Sequence, residues 1–164
     1  MDDHLQQAAV QAIGNVFETM FFVFLEPLDP ALQDQKADRD AGDREWLRCV
    51  IGFQGRIQGH LRLGVPYGLA LELATNFLGL ESAASETQVV DMVKELSNMI
   101  CGNLFSIFDK QQVYTLDMPQ AALVPLDPGP EEVESPEMLR LDFMADEWRI
   151  HLEIEWGPPA GAAG

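Results

Sequence analysis

Polar and apolar residues alternate along two segments near the end of the chain, and this alternation restricts the fold more than any other feature. The segments are MLRLDFM (138–144) and EWRIHLEIEW (147–156), which meet at Ala145–Asp146. Successive side chains of a strand point to opposite faces of a sheet. The two segments therefore predict an antiparallel hairpin with one apolar face.

A second hairpin is predicted around Gln54–Gly55. Its arms are WLRCVIGF (46–53) and RIQGHLRLGV (56–65), which alternate in the same way and meet at a turn that contains glycine. The arginines of these arms are predicted to mark the solvent-facing side. His60 and His151 are likewise expected to point outward. Two shorter strand-like segments, QQVYTLDM and QAALVPLD, flank Pro119.

Three helices are predicted. The first covers residues 4–25 and ends in MFFVFL, which is apolar nearly all round and should be covered on more than one side. Pro66 opens the second, whose apolar stripe includes Phe77 and Leu78 and which stops at Gly79. Ser85 with Gln88 fits a capping box that starts the third helix, at about residues 86–109.

The order of these elements indicates an α+β fold in which helices pack on an antiparallel sheet. Helix plus antiparallel strands occurs twice, which is a weak two-fold repeat, but the strand order cannot be read from it. The length of 164 residues favours a single domain, expected at 1–156, with a disordered tail at 157–164. The polar segment 26–45 is predicted to be an exposed connection.

The charge balance limits the partners of the chain. Ten Lys and Arg residues stand against 27 Asp and Glu residues, a net charge of −17. Nucleic acids and anionic lipids are bound largely through Lys and Arg, so we expect neither as a partner. A protein with a basic patch suits this chain better.

The remaining composition indicates a soluble cytoplasmic protein. Two cysteines, Cys49 and Cys101, are too few for a disulfide framework, and both lie among apolar neighbours, which predicts buried free thiols. The N-terminus MDDHLQQ lacks the basic region of a secretory signal. No apolar run approaches the ~20 residues that a membrane span needs.

The third helix has two faces when its residues are placed about 100° apart. One broad arc is apolar and predicts the buried face, with Met99 and Leu104 at its edges; it holds Val89, Met92, Val93, Leu96, Ile100, Asn103 and Ile107. A narrow arc on the opposite side is polar, with Lys94 and Phe105 flanking it; it holds Asp91, Glu95, Asn98, Gly102 and Asp109.

Three details distinguish this polar arc from an ordinary solvated face. Gly102 removes a side chain one turn after Asn98, which would let another backbone approach closely. Phe105 is a large apolar group on the side predicted to be exposed, as on docking surfaces. Asp91 and Glu95 repel each other across one turn. The arc therefore predicts a surface that another protein contacts.

This stretch resembles the CheC/CheX/FliY family of chemotaxis phosphatases. The resemblance rests on D-x-x-x-E-x-x-N-x-x-x-G on a long helix, after a G-x-L-x-L strand and the Leu-rich short helix ELATNFLG; it runs from about Gly59 to Phe108. Members of the family hydrolyse the aspartyl phosphate of the response regulator CheY.

The resemblance implies roles for individual residues. Glu95 would pair with a lysine of the regulator's active site, and Asn98 would place its amide beside the phosphoryl group and orient the attacking water. Asp91 matches the position that opens the motif. Pro119 is a candidate for a family proline some twenty residues after the Asn. Together with Gly102 and Phe105, Asp91 and Pro119 are predicted to contact the partner.

CheC-type members carry a second E-x-x-N on the first helix. In this chain Asn15 precedes Glu18, so that order is reversed and the second motif is missing. A single active helix resembles CheX, whose members form homodimers. The segment MFFVFL and the terminal hairpin are candidates for such an interface.

No cofactor of the chain's own is expected, because the Mg²⁺ and the lysine would belong to the regulator. His4, His60 and His151 are scattered among different elements and suggest no metal site. Two alternatives remain: a non-catalytic adaptor of the same fold, which binds a response regulator or serves in the flagellar switch, and an unrelated α+β protein. An adaptor would not need an intact Glu95/Asn98 pair.

Overall fold

The structure is a computed structural model that describes residues 2–29, 45–124 and 137–159. Within these ranges the chain forms α1 (Asp2–Phe21), β1 (Glu26–Pro27), β2 (Trp46–Gln54), β3 (Gln58–Pro66), α2 (Tyr67–Phe77), α3 (Glu86–Phe108), β4 (Thr115–Leu116), β5 (Gln120–Val124), β6 (Glu137–Ala145) and β7 (Trp148–Gly157). The predicted α+β class is confirmed.

All the described strands join one antiparallel sheet. Its order is β1-β6-β7-β3-β2-β4, and β5 also pairs with β2. Both predicted hairpins are confirmed: β2 pairs with β3 along its whole length, and β6 pairs with β7 from Ala145↔Trp148 outward. Of the two segments that flank Pro119, QQVYTLDM forms only the two-residue strand β4, and QAALVPLD forms β5 over its described residues 120–124. The pairing of β3 with β7 brings the two hairpins side by side.

One face of the sheet packs against the helices and forms the core. Along β7 the core residues are Ile150, Leu152, Ile154 and Trp156. The helices contribute regularly spaced apolar side chains, such as Leu5, Ile13 and Phe17 of α1. The alternation in the sequence therefore reports the core face of the sheet correctly.

The first helix ends earlier than its apolar pattern predicts. It stops at Phe21, and Phe22 adopts a left-handed φ of 55°, which ends the helical path. Phe22 and Phe24 are then 85% and 75% exposed in this chain. The expected cover of MFFVFL included cover by a second subunit, and for these two rings it would have to come from there, so for them it stays a prediction.

The other face of the sheet carries buried charge, which corrects the prediction for Arg62 and for His151, whereas Arg56 is exposed as predicted. Arg62 is buried and donates to Glu155 at 2.6 Å. His151 is buried, shares a hydrogen bond with Asp142 at 2.5 Å, and its ring stacks on Trp46 with centroids 4.8 Å apart. Neighbouring strands supply the counter-charges that make this burial tolerable. His60 is exposed as expected, although its Nδ1 lies 2.8 Å from Glu155.

Both cysteines are buried free thiols, as predicted. Burial raises the pKa of the Cys101 thiol to about 12. Most of the predicted connection at 26–45, and residues 160–164 of the tail predicted at 157–164, lie outside the described residues, whereas Gly157 still belongs to β7. The single-domain boundary therefore stays a prediction.

Candidate functional site

Helix α3 carries the predicted site, and its start is held by side-chain hydrogen bonds. Ser85 and Gln88 form the predicted capping box: the Ser85 side chain accepts from the Gln88 N–H at 3.2 Å, and the Gln88 side chain accepts from the Ser85 N–H at 2.9 Å. Thr75 on α2 donates to Leu71 O and accepts from the Ala84 N–H at 3.1 Å. Thr75 thus holds the residue that precedes the capping box against α2, which fixes the start of α3 relative to α2.

The two predicted faces of α3 are present. The buried residues are Val89, Met92, Val93, Leu96, Ser97, Ile100, Cys101, Leu104 and Phe105. Asp91 and Glu95 are exposed, and Asn98 and Gly102 are half-buried. The structure therefore brings together Asp91, Glu95, Asn98 and Gly102 along one side of a rigid helix.

The side chains of Glu95 and Asn98 are not used by the fold. Among the described residues neither of them forms a side-chain hydrogen bond or an ion pair. Nearby polar residues of α3 behave differently: the Ser97 hydroxyl donates to Val93 O at 2.9 Å, and the Ser106 hydroxyl donates to Gly102 O at 3.0 Å. The carboxylate and the carboxamide are therefore available to a partner, one helical turn apart.

Gly102 lies next to open space. A Cβ placed at this position would have no heavy atom within 4 Å outside the adjacent helix backbone. The glycine is therefore not needed by the packing of this chain, although it weakens the helix relative to alanine. A glycine at this position would let the backbone of another protein approach the helix closely.

Phe105 does not lie on the exposed face, which corrects the prediction. It is only 3% exposed, and its ring lies 4.1 Å from Tyr114 and 4.5 Å from Phe53 between centroids. The segment after α3 folds back and covers the ring. An angular plot of the helix could not show this, because the cover comes from outside the helix.

Pro119 belongs to neither a helix nor a strand. It is in the connection between β4 and β5, at the side of the sheet where both pair with β2. Its proposed contact with a partner stays a prediction.

An apolar groove beside Glu95 was missed by the sequence analysis. Phe77 and Leu78, predicted to belong to the buried stripe of α2, are 51% and 45% exposed. They line a groove of about 310 Å³ that also reaches Asp91 and Glu95. The sequence did contain a signal for this exposure. Phe77 is the last residue of α2 and Leu78 follows it, directly before Gly79 with its left-handed φ of 65°. The apolar stripe therefore continues beyond the end of the helix.

The chemistry of this site is that of hydrogen bonding and charge. A carboxylate only accepts hydrogen bonds, whereas a carboxamide both donates and accepts, so the pair can hold a cation and orient a polar molecule. Within the described ranges no group of three or more His, Cys, Asp or Glu residues could hold a metal ion. None of the helices described is long and apolar enough to cross a membrane.

The comparison with protein families agrees with this geometry. The model of the family "Chemotaxis phosphatase CheX" matches residues 47–123. This segment contains α2 and all of α3, with Asp91, Glu95, Asn98 and Gly102. No curated protein matches the sequence at a significant level.

Solved structures share the fold over almost the whole chain. The chemotaxis protein CheX from Vibrio vulnificus is 22% identical and superposes with a TM-score of 0.75, over 93% of this chain and 96% of that one. A CheC-like superfamily protein from Shewanella sp. PV-4 is also 22% identical, with a TM-score of 0.75 over 96% and 99% of the two chains. A chain of the CheX–CheY–BeF3–Mg²⁺ complex from Borrelia burgdorferi is 20% identical, with a TM-score of 0.69 over 92% and 96%. The chain is therefore similar to the CheX family by sequence over residues 47–123, and it shares the fold of CheX and CheC-like structures over nearly its whole length.

Proposed function

We propose that the protein is a phosphatase that acts on the aspartyl phosphate of a CheY-like response regulator in chemotaxis or another two-component system. One observation carries the proposal: Glu95 and Asn98 stand one turn apart on a helix anchored in the core, and neither side chain has a partner among the described residues. The match to the CheX family and the similarity to the CheX chain of a complex with CheY support the same direction.

Glu95 supplies the docking contact in this proposal. Its exposed carboxylate pairs with the lysine of the regulator's active site, and the net charge of −17 favours the approach of such a cationic group. Asp91 and Gly102 line the same side of α3, one turn before Glu95 and one turn after Asn98, and contact the partner there. Phe105 takes no part in that contact, because its ring is buried.

Asn98 supplies the catalytic contact. Its carboxamide accepts a hydrogen bond from a water molecule and holds that water in line with the phosphorus atom. The water oxygen forms the new bond to phosphorus as the bond to the regulator's carboxylate oxygen breaks, which releases phosphate and restores the aspartate. The remaining requirement is charge stabilisation at the phosphoryl oxygens. A Mg²⁺ ion held by the regulator supplies that stabilisation, so the chain itself needs no cofactor.

The experiment is a dephosphorylation assay. The protein is mixed with a phosphorylated CheY-type regulator from the same organism and Mg²⁺, and the loss of the phosphoryl group is followed. We expect faster loss with the natural chain and none of this acceleration with Asn98→Ala. Asn15→Ala is the matched control, because Asn15 is an exposed asparagine on α1, and it should leave the rate unchanged. Equal rates for Asn98→Ala and the natural chain would overturn the proposal.

A non-catalytic adaptor that binds the regulator is the second candidate. It would form the complex without changing the rate of phosphoryl loss. The carboxamide of Asn98 has no partner within the part of the chain that the structure describes, and this argues against an adaptor, because docking through Glu95 alone does not need that group.

Two further expectations belong to this proposal. A homodimer would cover Phe22 and Phe24, which are exposed in the single chain, and sedimentation of the purified protein tests this. A cytoplasmic location follows from the partner, since two-component regulators work there.

A further inference from the structure

We propose that the apolar groove beside Glu95 receives an apolar side chain of the response regulator that lies next to the regulator's active-site lysine. This inference rests on the proposed function and adds a second contact to it. The groove has a volume of about 310 Å³ and lies where α1, α2 and α3 meet; its lining residues are Met20, Phe77, Leu78, Gln88, Asp91, Met92 and Glu95.

The floor and wall of the groove are apolar and partly exposed. Phe77 is 51% exposed and Leu78 is 45% exposed, whereas Met92 is only 7% exposed and closes the bottom. Phe77 is not loose, because its ring packs edge-on against Phe21 at 5.9 Å between centroids. The groove is therefore formed before any partner binds, and filling it removes apolar surface from water.

The rim of the groove carries only negative charge. Of the described residues, Asp91 and Glu95 line it, and none of its lining residues is a Lys or Arg. A second copy of this chain would bring another net charge of −17 toward this rim. A surface in which an apolar side chain stands beside a cation complements the groove better, and a regulator with its active-site lysine has that cation.

The groove is continuous with the proposed site. Glu95 belongs to both, and Met92 lies one turn before it on α3. Since a helix rises about 1.5 Å per residue, Met92, Glu95 and Asn98 span roughly 9 Å along the axis. A regulator that meets Glu95 and Asn98 together must also cover the groove.

Leu78→Ser tests the groove against Leu123→Ser. Both changes replace a leucine of similar exposure, 45% and 36%, but Leu123 lies on β5 and does not line the groove. The probe is a CheY-type regulator from the same organism loaded with BeF3⁻ and Mg²⁺, titrated by calorimetry. We expect Leu78→Ser to weaken binding about tenfold and Leu123→Ser to change it less than about twofold.

The dephosphorylation assay separates docking from chemistry. With Leu78→Ser, the regulator concentration for half-maximal rate should rise about tenfold while the maximal rate stays the same. With Asn98→Ala, the maximal rate should be lost. Leu78→Lys is a second exposed variant, and its added cation should weaken binding further by repelling the regulator's lysine.

The outcomes distinguish the two proposals. If Leu78→Ser binds the regulator with the affinity of the natural chain and reaches half-maximal rate at the same regulator concentration, the groove proposal is overturned. The phosphatase proposal is then unaffected. Binding without hydrolysis by the natural chain would overturn the phosphatase, and the calorimetry would still judge the groove. No binding of any kind overturns both. A change of oligomeric state in Leu78→Ser, with regulator binding unchanged, would assign the groove to a second copy and overturn it as well.

Discussion

The ring of Phe105 stacks on the ring of Tyr114, with centroids 4.1 Å apart and planes 14° from parallel. Phe105 also contacts Phe53 of β2, so it joins the end of α3 to the sheet and to the segment that follows the helix. This contact closes the core at the C-terminal end of the helix that carries Glu95 and Asn98.

Phe105→Ala should therefore cost stability. Removing a fully buried phenylalanine typically costs about 3–5 kcal/mol, from the lost transfer free energy and the cavity that remains. Urea unfolding followed by circular dichroism measures the change. Phe24→Ala is the control, since Phe24 is 75% exposed, and its effect should stay within about 0.5 kcal/mol. A similarly small effect for Phe105→Ala would contradict the stacking.

Gly102→Ala should stabilise the fold and weaken the function. The new methyl group enters open space in this chain, so helix propensity alone predicts a gain of about 0.5–1 kcal/mol. In the proposed complex the same methyl group would stand where the regulator approaches, so the binding of the BeF3⁻-loaded regulator should weaken.

Gly14→Ala is the matched control for that prediction. Gly14 lies in the middle of α1, and a Cβ there also meets no atom within 4 Å. It should give a similar gain in the free energy of unfolding and leave regulator binding unchanged. If both glycine variants bind the regulator as the natural chain does, Gly102 does not face the partner.

Glu95→Gln should weaken docking while the fold stays intact. The substitution keeps the shape and removes the charge, which leaves the regulator's lysine without its partner in the complex. Losing one member of a desolvated ion pair costs about 2–5 kcal/mol of binding. The salt dependence of binding should fall together with the affinity. Glu18→Gln on α1, also an exposed glutamate, should change neither quantity.

Acid unfolding should depend on Asp142. Burial would raise the pKa of this carboxyl, but hydrogen bonds from His151 and Arg149 and the nearby charges of His151 and Arg140 outweigh it and lower the pKa from 3.8 to about 2. A depressed pKa stabilises the fold above the unfolded value, and this contribution is lost as the pH falls from about 4 to about 2. The shift corresponds to about 2 kcal/mol.

Asp142→Asn should remove that contribution. The free energy of unfolding, measured at several pH values, should be lower at neutral pH and should fall less steeply between about pH 4 and pH 2. Asp146→Asn is the control, because Asp146 is exposed in the β6–β7 turn with a φ of 54° that asparagine also tolerates. An unchanged slope in Asp142→Asn would mean that other carboxylates dominate acid unfolding.

Much of the fold was predictable because its signals are local. The capping box at Ser85 and the left-handed Gly79 mark helix ends through interactions within a few residues. The strands of both hairpins follow from period-two alternation next to a short turn. The alignment of Glu95 with Asn98 on one side of α3 needs only the pitch of a helix.

The burial of Phe105, Arg62 and His151 was predicted wrongly because it depends on distant contacts. Phe105 is covered by Tyr114, which lies beyond the end of the helix, so helical angles could not reveal its burial. Arg62 and His151 are buried because β7 and β6 bring Glu155 and Asp142 beside them. A single strand does not show which charges its neighbours carry.

The candidate site likewise has one part that local sequence determines and one part that depends on tertiary packing. The spacing of Glu95, Asn98 and Gly102 is a property of one helix, and local periodicity was sufficient to find it. The groove that adjoins Glu95 exists only because the ends of α1 and α2 meet the N-terminal half of α3. Its position depends on the free energy of packing three helices on one sheet. That packing brings together residues more than seventy positions apart in the chain, such as Met20 and Glu95.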